Sequence, residues 1–222
     1  MFESMSPLRS GAGRIAGIAV VVSALVVPVA AQVESASAAN FVSCDHPAAA
    51  VKAQPALGVP AKNGSPRHTR LRVATRTTTQ DLSCSSSFST LKNGVVRTVA
   101  QARLTLAVTR STNGCDGLTG PGAGAAWQGK ATIRYLDEVG RPVAVSRRVG
   151  TFHVLDHATS LEGPGVIEIS ASPTDAPATG PFAGTNLEIK VLYDPSLPPY
   201  PVCLASGWKG LPAPTFIYWE EF

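Results

Sequence analysis

The sequence lacks the local patterns that commonly mark metal-binding and catalytic sites. No two of its four cysteines lie within 30 residues of each other, so a zinc site built from close cysteine pairs is not expected. No Gly-x-Ser-x-Gly sequence is present, so the strained turn that carries the nucleophilic serine of many hydrolases is not expected. The glycine-rich run 120–124 precedes a strand pattern rather than a helix, so it predicts a turn and not a phosphate cradle. We therefore expect no catalytic residue, no metal site and no cofactor.

A helical pattern is also missing beyond residue 39. Apolar residues instead alternate with polar ones, which is typical of β-strands with one buried face. Turn signals such as Asn93-Gly94 separate these segments. The pattern predicts an all-β fold, either an antiparallel sandwich or a barrel. We favour a β-sandwich of about seven to nine strands, because one face of each strand is polar and the loops are long. The alternation covers residues 70–78, 100–108, 127–135, 143–154, 167–171, 187–193 and 216–219.

One of these strands has an irregular alternation. Val143 and Val145 have one parity, whereas Phe152 and Val154 have the other. The change falls at Arg147-Arg148, and an extra residue in one strand of a pair produces such a change. The sequence therefore predicts a β-bulge near Gly150.

The N-terminal segment, residues 1–39, has the parts of a secretory signal peptide. Arg9 and Arg14 precede an apolar run at 15–31, and Ala36-Ser37-Ala38 forms a cleavage sequence; an alternative cut follows Ala31. A retained membrane helix is the alternative, but the run is shorter than the ~20 residues that cross a bilayer. We expect a secreted protein, extracellular or cell-wall associated, with an extended N-terminal segment at 40–68 and the β-sandwich domain at 69–222.

The four cysteines all follow the predicted signal peptide. In an exported chain, an even number of cysteines predicts disulfides, here two. Four cysteines allow three connectivities, and sequence does not select among them. Our preferred pairing is Cys44 with Cys84 and Cys115 with Cys203.

Charge is unevenly distributed along the chain. Between Lys52 and Arg110 there are ten Lys or Arg and one acid, whereas the segment from Ser111 onward has seven Lys or Arg and eleven acids. Three arginines of the first segment share one strand face: Arg70, Arg72 and Arg76. This face is either an anion-binding surface or a solvated surface balanced by the acidic half.

Trp208 is a second candidate contact residue. It lies in the loop-like segment 205–210, where an exposed indole could stack on a sugar ring. The alternative is a core tryptophan that covers the disulfide at Cys203. Trp127 and Trp219 lie in strands and are expected in the core.

Two clusters that resemble chemical sites are explained by strand geometry. His153 and His157 flank Asp156, but in a strand the two histidines would be ~13 Å apart at their Cα atoms, too far for joint metal binding. Glu220 and Glu221 are adjacent, so their side chains point to opposite faces and cannot form a catalytic carboxylate pair.

Several segments carry a family resemblance. Cys84 through Cys115, the strand start Gly122 to Trp127, the turn Gly180 to Gly184 and Cys203 resemble a group of small exported actinobacterial proteins of unknown function. Those proteins similarly have a Gly-x-Gly-x-x-Trp strand and a Gly-x-Phe-x-Gly turn before the last cysteine. The resemblance implies secretion and a β fold, and it implies no activity.

The function expected from these features is that of a non-catalytic extracellular binding or structural module. Its partner would be an anionic cell-wall polymer or another extracellular protein. Nucleic acid is not an expected partner, and no membrane span is expected after signal cleavage. The alternatives are a secreted hydrolase with a triad assembled from distant residues, and an inhibitor of secreted enzymes.

We predict cleavage of the exported protein between Ala31 and Asn40, because the apolar run and the small residues after it fit signal peptidase. N-terminal sequencing of protein recovered from the medium or the cell wall checks this. An intact Met1 on the exported protein would contradict it.

Overall fold

The computed structural model describes residues 40–59, 68–75, 83–118, 124–157, 165–194 and 199–222. The predicted signal peptide and Arg76 lie outside these ranges. No helix in the described ranges is long and apolar enough to span a bilayer. The described residues form a 3₁₀ turn at Cys115–Gly117, helix α1 at Pro199–Ser206, and strands β1 Val42–Leu57, β2 Thr69–Thr75, β3 Ser83–Ser86, β4 Ser89–Lys92, β5 Val95–Thr98, β6 Gln101–Arg110, β7 Ala125–Leu136, β8 Pro142–His157, β9 Gly165–Ala171, β10 Ala178–Thr179, β11 Leu187–Tyr193 and β12 Trp208–Glu221.

The main sheet is antiparallel and closes on itself. Its hydrogen-bonded order is β8-β7-β6-β2-β1-β12-β11-β9, and β9 pairs again with β8 through residues 153–157. β3 and β10 add short edges beside β1 and β8, and β4–β5 is a separate hairpin. The predicted all-β antiparallel class is confirmed. A two-sheet sandwich of seven to nine strands is not confirmed, because each strand of the closed order has hydrogen-bonded neighbours on both sides.

Alternating residues fill the interior of this sheet. Strand segments lie at all seven places where the sequence predicted them, and Trp127 and Trp219 are fully buried as expected. The predicted turn at Asn93-Gly94 joins β4 to β5, with φ values of 53° and 75°. Both residues of a type I′ turn need positive φ, which explains why an Asn-Gly pair marks this hairpin.

The segment expected to precede the sheet as an extended tether contains β1, so the sheet begins at Val42 rather than at residue 69. β1 pairs with β12 on one side and with β2 and β3 on the other. Ala49, Val51 and Ala53 point inward and alternate with exposed Lys52. Small inward side chains and prolines gave the segment little apolar contrast, which hid its alternation in the sequence.

β8 is regular at Gly150, so the prediction of a bulge there is wrong. Its pairing with β7 runs without a shift from Ala144 to Val154, and the even-numbered residues face inward throughout. The apparent phase change arises because two inward positions, Ser146 and Arg148, are polar. Gly150 serves a different purpose, since a Cβ there would lie 2.1 Å from the carbonyl oxygen of Asp175.

Arg148 forms a buried ionic network inside the sheet. Its Nε and the Ser146 hydroxyl donate to Glu221 Oε1, at 3.0 and 2.6 Å, and the Tyr135 hydroxyl donates to Oε2. The two Nη atoms donate to the carbonyl and hydroxyl oxygens of Thr185, both at 2.7 Å. Burial, followed by the charge of Glu221 and the hydrogen bond to it, raises the pKa of Tyr135 well above its ordinary value. Tyr135 therefore stays protonated and keeps donating to the carboxylate.

The two ends of the sheet are closed by different segments. At the end near Glu221, buried Phe182 packs on the rings of Tyr135 and Phe88, with ring centroids 4.9 and 5.3 Å apart. At the other end, buried Leu118 follows the 3₁₀ turn, and the Trp127 indole donates to the carbonyl oxygen of Gly117 at 2.9 Å. Apolar interior is thus covered at both ends.

The preferred disulfide pairing is confirmed. Cys44 and Cys84 lie directly opposite each other on β1 and β3, and Cys115 of the 3₁₀ turn is bonded to Cys203 of α1. The second bridge packs against Gly58, where a Cβ would lie 2.4 Å from the Cys203 carbonyl oxygen. Two disulfides indicate an extracellular or otherwise oxidising environment.

We predict that each disulfide stabilises the fold by about 4–5 kcal/mol in the chain-entropy model, because the bridges span 40 and 88 residues. Thiol titration of native protein should find no free thiol, and reduction should lower the melting temperature markedly. A melting temperature unchanged by complete reduction would contradict the prediction.

Disrupting the buried ion pair should be costly. Arg148→Met alone and Glu221→Gln alone should each lower the free energy of unfolding by about 3–5 kcal/mol, because each leaves an unpaired buried group. The double variant should lose less than the sum, since neither charge then remains. Denaturant unfolding measures this, with Arg147→Met at the neighbouring exposed position as the control. A cost under about 1 kcal/mol for Glu221→Gln would show that the pair does not support the fold.

Candidate functional site

The outer surface of β1, β2, β6, β7 and β8 is basic. These strands are consecutive neighbours in the closed sheet, so their outward side chains form one continuous surface. The strand sequences of β2, β6 and β7 contain no Asp or Glu. We call this surface the basic face, and its exposed cations are Lys52, Arg70, Arg72, Arg103, Lys130, Arg134 and Arg147.

Strand pairing aligns several of these cations across the sheet. Lys52 lies directly opposite Arg72, and Ala107 of β6 separates Arg72 from Lys130. Neighbouring strands are ~4.8 Å apart, so Lys52, Arg72 and Lys130 form a row of roughly 14 Å across four strands. Such a row can follow an extended chain laid across the strands.

The seven cations of the basic face have no anionic partner among the described residues. None of these seven side chains forms an ion pair or a hydrogen bond within the described ranges. Arg103 and Arg134 are directly opposite each other, and like charges so placed repel. The surface therefore carries positive charge that the described residues do not neutralise.

The acids of the opposite surface, on β9, β11 and β12, are paired locally. The Glu168 carboxylate lies 2.9 Å from His157 Nε2 and accepts from it when that nitrogen carries a proton, and Lys190 Nζ donates to Glu188 at 2.6 Å. The Lys190–Glu188 hydrogen bond is the main reason that the pKa of Lys190 is raised. Only β1 and β8, the two outermost strands of the basic face, adjoin this surface, so β2, β6 and β7 are not neighbours of the acidic strands.

The candidate contact residues have different outcomes. Arg70 and Arg72 are exposed on β2 with the same orientation, as expected, and Arg76 lies outside the described residues. Trp208 is only 2% exposed, which agrees with the alternative of a core tryptophan and not with an exposed contact residue. It begins β12 opposite Leu57 and packs into the core, which leaves no ring face for a sugar.

The histidine cluster does not form a metal site. His153 and His157 point outward from β8, while Asp156 points inward and accepts from the Tyr193 hydroxyl at 2.5 Å. Burial, then the hydrogen bond and charge of Asp156, raises the pKa of Tyr193. Across the described ranges, no group of three or more His, Cys, Asp or Glu is placed to hold a metal ion.

A groove beside these histidines contains a serine, a histidine and an aspartate in an order that does not suit catalysis. The Ser172 hydroxyl donates to Asp175 Oδ2 at 2.6 Å, and the same oxygen lies 3.8 Å from His153 Nε2. In a hydrolase triad the imidazole lies between the hydroxyl and the carboxylate, where it can take the proton. Here the carboxylate lies between them, so His153 does not contact Ser172 as a base.

Glu220 and Glu221 point to opposite faces, as strand geometry predicted. Glu221 is fully buried in the Arg148 network, and Glu220 bonds to the Tyr218 hydroxyl on the outer surface. Burial, with the hydrogen bond to Glu220 next, raises the pKa of Tyr218. The two carboxylates therefore do not form a catalytic pair.

Sequence reasoning did not connect Lys52, Lys130 and Arg147 with Arg72. An available signal was strand parity, because Arg103, Lys130 and Arg134 alternate with apolar residues in the strand patterns at 100–108 and 127–135 and so point outward. What was missing was the neighbour order, since β2 pairs with β6 and β6 with β7.

Comparison of this chain with protein-family models, curated proteins and solved structures finds no match. The candidate site therefore rests on geometry and charge.

Proposed function

We propose that the chain is a non-catalytic, exported module that binds an anionic cell-wall polymer through the basic face. The observation that carries the proposal is the set of seven exposed cations on adjacent strands, none with an ion-pair partner among the described residues. The signal-like N-terminus and the resemblance to small exported proteins support the same location. We propose both that the protein is exported and that it belongs with this group of small exported proteins.

Binding of a polyanion would relieve the repulsion between the cations of the basic face. Cations that face each other across strands, such as Lys52 and Arg72, raise the free energy of the folded state by a few tenths of a kcal/mol per close pair. A bound polyanion removes that repulsion and releases its own counterions, which favours binding at low salt. Steering by the field of the whole face also speeds encounter.

A merely solvated surface balanced by the acidic half is the main alternative. It is less well supported, because Glu168 and Glu188 are paired with His157 and Lys190 on the other side of the sheet. The hydrolase alternative gains no support from the Ser172, Asp175 and His153 arrangement.

The inhibitor alternative has one supporting feature, the β4–β5 hairpin. It exposes apolar side chains, with Leu91 73% and Val96 65% exposed. No further feature identifies an enzyme that this hairpin would fit. The basic face therefore carries the proposal.

We expect the double variant Arg72→Gln, Lys130→Gln to bind inorganic polyphosphate more weakly than the unmodified protein. Loss of two phosphate contacts should also make the slope of log affinity against log salt shallower by roughly 1.5, at about 0.7–0.9 per contact. Affinity measured by fluorescence titration over a range of salt concentrations gives both quantities.

The matched control is Lys92→Gln, Arg97→Gln, which removes the same charge from the hairpin outside the basic face. It should retain the affinity and salt slope of the unmodified protein, apart from a small change from net charge. Equal weakening of both variants, or no binding by the unmodified protein, would overturn the proposal.

A further inference from the structure

Three arginines of the basic face line one cavity. The cavity has a volume of about 290 Å³ and lies beside the turn that joins β7 to β8. Arg103, Arg134 and Arg147 supply its polar wall, and Leu136, Pro142, Ala144 and Val145 supply apolar wall. No carboxylate side chain of the described residues lines it.

The register of three neighbouring strands brings these arginines together. Arg103 of β6 is directly opposite Arg134 of β7, and Arg134 is opposite Val145 of β8. Arg147, two residues beyond Val145, is therefore the diagonal neighbour of Arg134, at roughly 7–8 Å. All three side chains are exposed, and each lines the cavity from a different strand.

The three guanidinium groups form no ion pair or hydrogen bond with the described residues. They differ in this from Arg148, whose donors are bonded inside the sheet. Apolar walls beside unpaired charges concentrate the electrostatic field in the cavity. The cavity therefore offers positive charge for which the described residues supply no anion.

We infer that this cavity binds a single phosphate group, and that it is the specific contact within the broader basic face. The inference rests on the proposed function, because the phosphate would belong to the bound polymer. Arginine forks bind phosphate through paired hydrogen bonds, and clusters of arginines are a common means of phosphate recognition. Arginines on three neighbouring strands can together offer more hydrogen-bond donors than a planar carboxylate accepts, which favours a tetrahedral phosphate.

The cavity is large enough to hold a phosphate group. Pockets for whole small molecules usually enclose about 300–1,000 Å³, and this cavity is just below that range. One phosphate of the polymer would lie in the cavity. The rest of the polymer would lie along the row of Lys52, Arg72 and Lys130, on an adjoining part of the same surface.

The test is thermal unfolding of the full protein with inorganic phosphate, at constant ionic strength set with chloride. The melting temperature of the unmodified protein should rise saturably with phosphate, because a ligand bound by the native state stabilises it. Arg134→Gln should bind phosphate roughly ten- to hundredfold more weakly, and Arg134→Lys should recover only part of the affinity. Without phosphate, Arg134→Gln should be at least as stable as the unmodified protein, since one repulsive charge is gone.

Arg72→Gln is the control, because it lies on the basic face but outside the cavity, and it should keep the phosphate response. The phosphate site would be overturned if phosphate raised the melting temperature of Arg134→Gln equally, or did not raise that of the unmodified protein. The proposed function is tested separately, by the binding of polyphosphate. Acetate acting as well as phosphate would also overturn it. If dimethyl phosphate also raises the melting temperature, the site binds a phosphodiester within the polymer. If only inorganic phosphate does so, the site binds a terminal phosphate.

Discussion

The closed sheet depends on the buried pair of Arg148 and Glu221. β8 and β12 are not neighbours in the sheet, so this pair joins its two sides through the interior. A buried charge without complete hydrogen bonding costs several kcal/mol. Here the Glu221 carboxylate accepts from Tyr135 and Ser146, and the Arg148 guanidinium donates to Thr185, so both ions are satisfied. These requirements fix which residues of β8 face inward, and hence which face out.

That inward orientation also determines the outer surface. With Arg148 inside, Arg147 faces out and joins Arg134 and Arg103 at the cavity. One arginine is therefore structural and its neighbour in sequence is available to a ligand. Adjacent residues have these opposite roles because consecutive side chains of a strand point to opposite faces.

The sequence predicted much of the local structure because alternation and turn chemistry are local properties. The Asn93-Gly94 turn, the burial of Trp127 and the strand at Arg70 followed from short segments. The failures have equally specific causes. β1 was missed because its inward residues include Ala49 and Ala53, β8 was misread because Ser146 and Arg148 are polar inward residues, and Trp208 was placed in a loop although β12 begins there.

The sequence by itself determined the all-β class, the outward direction of Arg72 and Lys130, and the presence of enough cysteines for two bridges. Only the tertiary structure decided that β2, β6, β7 and β8 are consecutive neighbours, which unites the basic face and forms the arginine cavity between β6, β7 and β8. Strand order and register depend on hydrogen bonds and core packing between segments far apart in the chain. A local pattern shows which way a side chain points, but it does not show which distant side chain lies beside it.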